Sequence, residues 1–245
     1  MTSIGIDIGS TYTKYCIKDG DDLKLFAVKT PVRQKEFFAD KLKQLQTDHP
    51  GAKIVSCGYG RNNIVAVSEI SELTALAEGA AYMAPANNVI LDIGGQDTKI
   101  IVRDGSRLKE FFVNDKCAAG CGMFAINSLN QLGLSFEDID LKGGEEPKID
   151  LSSTCAVFAQ TEIVSLIAKG ADPSDIMTAV IWQILAQSKV LLRKVRYDSI
   201  ALSGGLTLIK DIDKCASKVF SAEVVIPEDS YYLSAIGAAL YAERL

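Results

Sequence analysis

The chain has 245 residues, of which 48% are hydrophobic and 23% charged, and its formal net charge is −5. This length suits one large domain or two smaller ones, and the negative charge argues against nucleic acid or an anionic membrane as a partner. No signal sequence or membrane span is predicted: Asp7 precedes any hydrophobic run, and polar residues such as Gln183 and Lys189 interrupt the most apolar stretch, 176–192. We therefore expect a cytoplasmic protein.

The composition also excludes histidine-based chemistry. The only histidine, His49, lies in an Asp-His-Pro-Gly sequence that is typical of a surface turn. A Ser-His-Asp triad or a zinc site with several histidines is therefore not expected. Six cysteines are too few for a disulfide scaffold in a chain of this length. Any chemistry is expected to depend on carboxylates, thiolates and backbone amides.

An internal repeat organises the first half of the chain. Residues 6–28 and 91–113 align without gaps at an offset of 85, with 11 identities in 23 positions. Each copy is predicted to form a strand, a glycine turn, a second strand, an Asp-Gly hairpin turn and a third strand. Between the copies, the pattern predicts a helix over 37–45, a strand over 53–57 and a helix over 68–82. The repeat indicates two similar α/β subdomains.

The first turn of each copy has the chemistry of a phosphate site. An aspartate ends the first strand, and backbone rich in glycine follows at once; free amides in such a turn bind anions, and glycine lets a phosphate oxygen approach closely. The aspartate carboxylate can hold Mg²⁺ through water. A single Asp-x-Gly turn could equally be a plain hairpin. Two copies facing each other across a cleft would bind the phosphates of a nucleotide from both sides. The turns concerned are Asp7-Ile-Gly9-Ser10 in one copy and Asp92-Ile-Gly94-Gly95 in the other.

Two cysteines stand out in the second half. The pattern becomes helical from about Cys117 toward Leu132, and a second helix opens near Cys155, with Ser153 or Thr154 as its N-cap. Both thiols are thus predicted in the first turn of a helix, where the helix dipole and free N–H groups stabilise a thiolate suited to an iron–sulfur cluster. The alternative is that both are small buried core residues. We expect three of the other four cysteines, those at positions 16, 57 and 215, to be buried core residues.

The last signals are a strand from Ser199 that runs into Gly204-Gly205 and a helix rich in small residues from Ser234. With the turns DIGSTYTK and LDIGGQDTK, they resemble the actin/Hsp70/sugar-kinase ATPase superfamily, in which the turns bind phosphate and the Gly-Gly segment binds adenosine. The resemblance implies an α/β, ribonuclease H-like fold (the ASKHA fold) with two duplicated subdomains. They would comprise 1–84 and 85–229, with the helix at 230–245 packing back on the first.

The segments NDKCAAGCGMF and SSTCAVFAQTE narrow the resemblance to the BadF/BadG/BcrA/BcrD ATPase family. The resemblance implies an ATP-dependent activator of 2-hydroxyacyl-CoA dehydratases that passes one electron to a partner iron–sulfur enzyme. By the same resemblance, Cys117 and Cys155 are the ligands of one [4Fe–4S] cluster shared by a homodimer, and Gln96 is a candidate to position water beside Mg²⁺ and ATP. The resemblance also implies that the nucleotide site is lined by Asp7, Gly9, Ser10, Thr11, Asp92, Gly94, Gly95, Gly204 and Gly205. The implied partners are an acyl-CoA dehydratase or a double-cubane protein as acceptor and ferredoxin or flavodoxin as donor.

The sequence departs from that family at three positions. Cys121 stands where the family usually has threonine, Met123 replaces an arginine, and a histidine often found near Leu76 is missing. Cys121 is either a packing substitution or close enough to Cys117, one helical turn away, to alter the cluster site. Two other functions stay open: a small-molecule kinase of the same superfamily, and a non-redox ATP-dependent assembly protein. Neither needs a cluster, so iron content separates them from the activator.

Overall fold

The first copy of the repeat forms the antiparallel strands that its turn residues predict. The structure, a computed structural model, describes residues 2–64, 68–114 and 117–245. The elements of this part are β1 (Ser3–Ile8), β2 (Tyr12–Asp19), β3 (Asp22–Lys29), α1 (Gln34–Asp48), β4 (Lys53–Cys57), β5 (Ser68–Glu69) and α2 (Glu72–Met83). The five strands form one sheet in the order β3-β2-β1-β4-β5, with β4 parallel to β1. Asp7 therefore lies beside Cys57 in the register of the two strands.

The predicted helix over 68–82 begins later than the pattern indicates. Ser68 and Glu69 pair with β4 as a short strand. Helix α2 then starts at Glu72, because the Ser71 hydroxyl accepts a hydrogen bond from the Thr74 amide at 3.1 Å and so caps the helix.

The second copy builds a second five-stranded sheet. Its strands are β6 (Val89–Ile93), β7 (Thr98–Asp104), β8 (Arg107–Asn114), β9 (Ser199–Gly204) and β10 (Glu223–Val225), in the order β10-β9-β6-β7-β8. Strand β9 runs parallel to β6, and Ile93 is paired with Gly204. This pairing brings the predicted Gly-Gly turn to the same sheet edge as the second aspartate turn.

Five further α-helices lie in the part of the chain that the structure describes: α3 (Gly122–Leu132), α4 (Ala156–Ala168), α5 (Pro173–Leu192), α6 (Ile212–Phe220) and α7 (Leu233–Glu243). Helix α5 is long and apolar enough to cross a membrane by length and composition alone, yet 61% of its most apolar window is buried. That burial is typical of a core helix in a globular domain.

The chain divides into two compact units. One comprises Met1–Asn87, Ile101–Glu110 and Tyr232–Leu245, and the other comprises Asn88–Ile100 and Phe111–Tyr231. The subdomain boundaries expected from the repeat stay a prediction.

The hairpin tip between β7 and β8 falls in the first unit. There the Arg103 guanidinium donates hydrogen bonds to the carbonyls of Ala84 and Gly105. These two bonds tie the tip to the residue that follows helix α2.

Glycines allow α7 to pack closely in the first unit, as its small residues predict. A Cβ on Gly237 would lie 1.8 Å from the Ala75 carbonyl oxygen, and one on Gly79 would lie 1.9 Å from the Leu233 carbonyl oxygen. Strand β1 shows the same property, since a Cβ on Gly5 would lie 1.9 Å from the Ala235 carbonyl oxygen. Helix α7 thus lies directly against α2 and β1, with no room for side chains at these three contacts.

Candidate functional site

The first aspartate turn holds a buried ion pair. Asp7 is 3% exposed at the end of β1, and Lys14, its partner in the register of β2, places Nζ 3.5 Å from Asp7 Oδ2. The strand pairing fixes this arrangement, since opposite residues of antiparallel strands lie side by side. The carboxylate is therefore held in a fixed orientation beside the glycine turn.

The turn itself is held by Thr30, a residue that the sequence did not single out. The Thr30 amide donates to the Thr11 carbonyl at 2.9 Å, and its hydroxyl donates to the Gly9 carbonyl at 2.8 Å. Within the part of the chain that the structure describes, the buried Thr11 hydroxyl oxygen has no hydrogen-bond partner. Two carbonyls of the turn are thus engaged by Thr30, and a free hydroxyl remains that can donate to a phosphate oxygen.

A second glycine segment lies beside Asp7 and was also missed. Gly58 follows β4 with φ +87°, and a Cβ there would lie 2.5 Å from Asp7 Oδ1. Gly60 donates its amide to the Ile8 carbonyl at 2.9 Å. Only glycine leaves this side of the carboxylate open. The available signal was a Gly-x-Gly sequence directly after a predicted strand.

The second aspartate turn repeats the ion pair of the first. Asp92 is 7% exposed at the end of β6, and Lys99 Nζ lies 3.7 Å from Asp92 Oδ2. Here the lysine also contacts Asp97 Oδ1 at 2.6 Å, and the Gly94 amide donates to the Asp97 carbonyl at 2.9 Å. Gln96 lies on the tip of the turn and is exposed. The duplicated Asp–Lys pair accounts for two of the identities in the repeat.

The Gly-Gly segment lies at the edge of the same sheet. In the pairing of β6 with β9, Asp92 is opposite Ser203, and Gly204 has φ +95°. A Cβ on Gly204 would lie 2.2 Å from the Ile93 carbonyl oxygen, whereas one on Gly205 would meet nothing within 4 Å. The structure thus brings the predicted residues of the second unit together at one sheet edge, with open space at Gly205. The predicted residues of the first unit, from Asp7 to Thr11, lie at the end of β1 and in the turn that follows it.

The six cysteines fall into two classes. Cys117 and Cys155 are exposed, and the other four are buried. Burial raises the pKa of the Cys57 thiol well above its ordinary value, with the charge of Asp7 as a further cause, and burial raises the pKa of Cys215 to about 11. The prediction that Cys16, Cys57 and Cys215 are core residues is confirmed.

The predicted helix position of Cys117 is wrong. Cys117 precedes a 3₁₀ turn over Ala118–Gly120, and α3 begins only at Gly122 with Cys121 as its N-cap. The reason lies in the tertiary structure. The amides of Gly122 and Met123 donate to the carbonyls of Gly94 and Gly95, each at 2.8 Å, which fixes where the helix starts.

Cys155 is the N-cap residue of α4, so the predicted caps Ser153 and Thr154 lie outside the helix. The thiol still stands at the N-terminus of helix α4, and it is exposed.

Cys121 has the character of a packed residue. It is 1% exposed, and its thiol donates to the Ala118 carbonyl at 3.2 Å. Burial raises the pKa of the Cys121 thiol, which disfavours the thiolate that a metal ligand must provide. Because a 3₁₀ turn separates it from Cys117, the two thiols are not one α-helical turn apart. These observations favour the packing interpretation of the substitution.

Hydrogen bonds connect the second aspartate turn to the Cys117 segment, which we define as Cys117, the 3₁₀ turn over Ala118–Gly120 and Cys121. Besides the bonds from Gly122 and Met123, the Thr98 hydroxyl donates to the Gly120 carbonyl at the end of the 3₁₀ turn. The Gly94-Gly95 backbone is therefore hydrogen-bonded directly to the start of α3. This connection was not visible in the sequence.

Two sheets that begin with the same hairpin, with an aspartate–glycine turn after the first strand of each, define the actin/Hsp70/sugar-kinase class of ATPase fold. A glucokinase of the ROK family from Streptomyces griseus matches the fold with a TM-score of 0.58 over 100% of both chains at 15% identity. The chain belongs to the BadF/BadG/BcrA/BcrD ATPase family, whose profile matches residues 4–242. Both the fold class and the family resemblance are confirmed.

Relatives in this family match over nearly their whole length. The (R)-2-hydroxyglutaryl-CoA dehydratase activating ATPase of Acidaminococcus fermentans is 32% identical over 99% of this chain and 97% of its own. The activator of lactoyl-CoA dehydratase from Anaerotignum propionicum is also 32% identical, over 99% and 97%. The solved activator of 2-hydroxyisocaproyl-CoA dehydratase from Clostridium difficile, with bound ADPNP, has a TM-score of 0.87 at 30% identity, covering 99% of this chain and 94% of that one.

Proposed function

We propose that this protein is an ATP-dependent reductive activator. Two chains form a homodimer that shares one [4Fe–4S] cluster, and ATP hydrolysis drives the transfer of single electrons at low potential to a partner iron–sulfur enzyme. An acyl-CoA dehydratase is the leading acceptor, because relatives that match over nearly their whole length are named as activators of such enzymes. A double-cubane protein is a further acceptor of the same chemistry, and ferredoxin or flavodoxin is the electron donor. The protein works in the cytoplasm.

The nucleotide chemistry is assigned to the two aspartate turns. Asp7 and Asp92 direct Mg²⁺, the amides of the glycine turns bind phosphate oxygens, and Gln96 orients the attacking water. Gly204 and Gly205 leave the backbone open to the adenosine. The duplicated Asp–Lys pairs, 3.5 and 3.7 Å long, support this role because each lysine holds its carboxylate in a fixed position beside a glycine turn.

One observation carries the redox part of the proposal: of six cysteines, only Cys117 and Cys155 are exposed. Among the residues described, no group of three or more His, Cys, Asp or Glu side chains is placed to hold a metal ion. One chain therefore offers two thiols, which is half of the four-thiolate set that a [4Fe–4S] cluster takes, and a two-fold axis supplies the rest. When bound, the cluster supplies one-electron redox chemistry at low potential.

The connection between the two functions is assigned to the start of α3. Phosphate binding changes the backbone of Gly94 and Gly95, whose carbonyls accept the Gly122 and Met123 amides. The Cys117 segment follows that movement, because the Thr98 hydroxyl holds its 3₁₀ turn to the same strand. A small-molecule kinase or an assembly protein would need neither the two exposed thiols nor a connection between a phosphate turn and one of them.

The proposal is tested on protein purified without oxygen. We expect about four irons per dimer, broad visible absorption that bleaches on reduction, and ATP-dependent electron transfer from reduced ferredoxin to an added dehydratase. Colourless protein that hydrolyses ATP, or phosphorylates a sugar, would instead favour one of the alternatives. The colour and iron count are measured before any acceptor is known.

A further inference from the structure

The segment before Cys155 is held by a carboxylate from the helix that follows it. Glu162 lies on α4, and its Oε1 accepts hydrogen bonds from the Ser152 amide and hydroxyl, each at 3.0 Å. Its Oε2 accepts the Ser153 amide at 3.1 Å. Glu162 does not cap α4, since it reaches back past the N-cap residue Cys155 to the two residues at 152 and 153.

A second side chain holds the same segment from another helix. Gln183 on α5 donates its Nε2 to the Ser153 carbonyl at 2.7 Å. Ser153 is thus engaged on both its amide and its carbonyl, by side chains from two helices. We call these contacts, from Glu162 and Gln183 to residues 152 and 153, the clamp. The exposed thiol of Cys155 lies two residues further along the chain, so little backbone freedom remains between the clamp and the thiol.

The Cys117 segment lies against the face of α5 that carries Gln183. A Cβ on Gly120, at the end of the 3₁₀ turn, would lie 3.2 Å from Gln187 Cβ. Gln183 and Gln187 are four residues apart, which places them on one helix face about 6 Å from each other along the axis. One rigid, buried helix therefore contacts both segments that carry an exposed thiol.

We infer that Glu162 and Gln183 are positioning residues that fix the Cys155 turn on α5, so that Cys117 and Cys155 stand ready as a ligand pair before any cluster is bound. The inference rests on the proposed function for the identity of the ligand thiols. Neither side chain is a metal ligand; both act through the backbone of Ser152 and Ser153. The three hydrogen bonds at Glu162 also lower the pKa of its carboxyl group, the Ser152 amide being the largest cause.

The test uses the full-length protein in two forms, iron-free and loaded without oxygen. The variants are Glu162→Gln, which keeps the size of the side chain, and Gln183→Ala. In the iron-free protein, we expect amide hydrogen exchange in the peptide containing Ser152 and Ser153 to rise about tenfold or more in Glu162→Gln, because a neutral amide replaces the ionised acceptor of both backbone amides. The rise should be smaller in Gln183→Ala, because only the hydrogen bond to the Ser153 carbonyl is lost there. Glu162→Asp, with its shorter stem, should give an intermediate rate.

Gln131→Ala is the matched control. Gln131 also donates its amide group to a backbone carbonyl, that of Gln160 at 3.3 Å, but this carbonyl lies in the middle of α4 and not before Cys155. The Gln131→Ala variant should leave the amide hydrogen exchange at Ser152 and Ser153 unchanged. In the loaded dimer, Glu162→Gln and Gln183→Ala should release iron to a chelator about tenfold faster than wild type, and Gln131→Ala at the wild-type rate.

Three results would overturn the inference or its basis. Unchanged exchange at Ser152 and Ser153 in both variants would show that the clamp does not hold the segment. Faster exchange with wild-type iron release would show that the clamp exists but does not position a ligand. A wild-type protein that takes up no iron would refute the proposed function instead, and the exchange data would still decide whether the clamp exists.

Discussion

The contact between α7 and α2 gives a prediction in which two effects oppose each other. Replacing Gly237 by alanine in the interior of a helix raises helix propensity, which alone would stabilise the protein by about 1 kcal/mol. The new Cβ, however, would lie 1.8 Å from the Ala75 carbonyl oxygen and 2.7 Å from the Gly79 amide nitrogen. The sign of the change in stability depends on which effect is larger.

The structure indicates that packing dominates. Comfortable contact between carbon and a heavy atom needs about 3.5 Å, so α7 would have to move away from α2 by more than 1 Å, on the order of a methyl radius. Helix α7 cannot move freely, because residues such as Ala235, Ile236 and Ala239 are 0% exposed. Overpacking of this kind costs about 1–3 kcal/mol and occasionally more. Because the backbone itself is in contact, we expect a packing cost of about 3–4 kcal/mol, at or above the top of this range, and a net loss of about 2–3 kcal/mol once the gain in helix propensity is subtracted.

The assay is thermal unfolding of the iron-free protein, followed by circular dichroism. A net loss of that size lowers the Tm by about 5–10 °C in a chain of this length. Gly205→Ala is the control for stability, since its Cβ would meet nothing within 4 Å, and its Tm should stay close to that of the wild type. A Gly237→Ala protein as stable as wild type, or more stable, would refute the packing argument.

The other predictions concern the site. Asp7→Asn and Asp92→Asn should each lower ATPase activity by about tenfold or more, because each removes a charge directed at the metal; wild-type rates in both would contradict the proposed role of the turns. Anaerobic protein should be a dimer by light scattering, with oxygen bleaching its colour and loosening it, whereas a monomer with a complete cluster would contradict the shared site. Cys117→Ser or Cys155→Ser should lose iron or hold it weakly while nucleotide binding survives, and Cys121→Thr should keep its iron. Iron loss from Cys121→Thr together with retention in Cys155→Ser would reverse the ligand assignment.

The sequence determined the features that depend on short-range patterns. Strand β4 was predicted at its observed bounds, and β1 and β6 were predicted as the strands that precede the two glycine turns, because alternating burial and glycine turns are encoded by neighbouring residues. The repeat placed Asp7 and Asp92 at strand ends for the same reason. The family followed from the local segments around Cys117 and Cys155, so it needed no three-dimensional information.

Only the tertiary structure decided which of these residues have which neighbours. Gly58 is 51 residues from Asp7 in the chain, and it is the parallel pairing of β4 with β1 that brings the two residues together. The start of α3 was misplaced because two amides bond to the carbonyls of a turn in the preceding hairpin, a competition that helical periodicity does not record. The clamp at Ser153 combines residues from α4 and α5 and was invisible for the same reason. Local pattern fixes where an element can form, whereas its end and its neighbours depend on hydrogen bonds between segments that are distant in sequence.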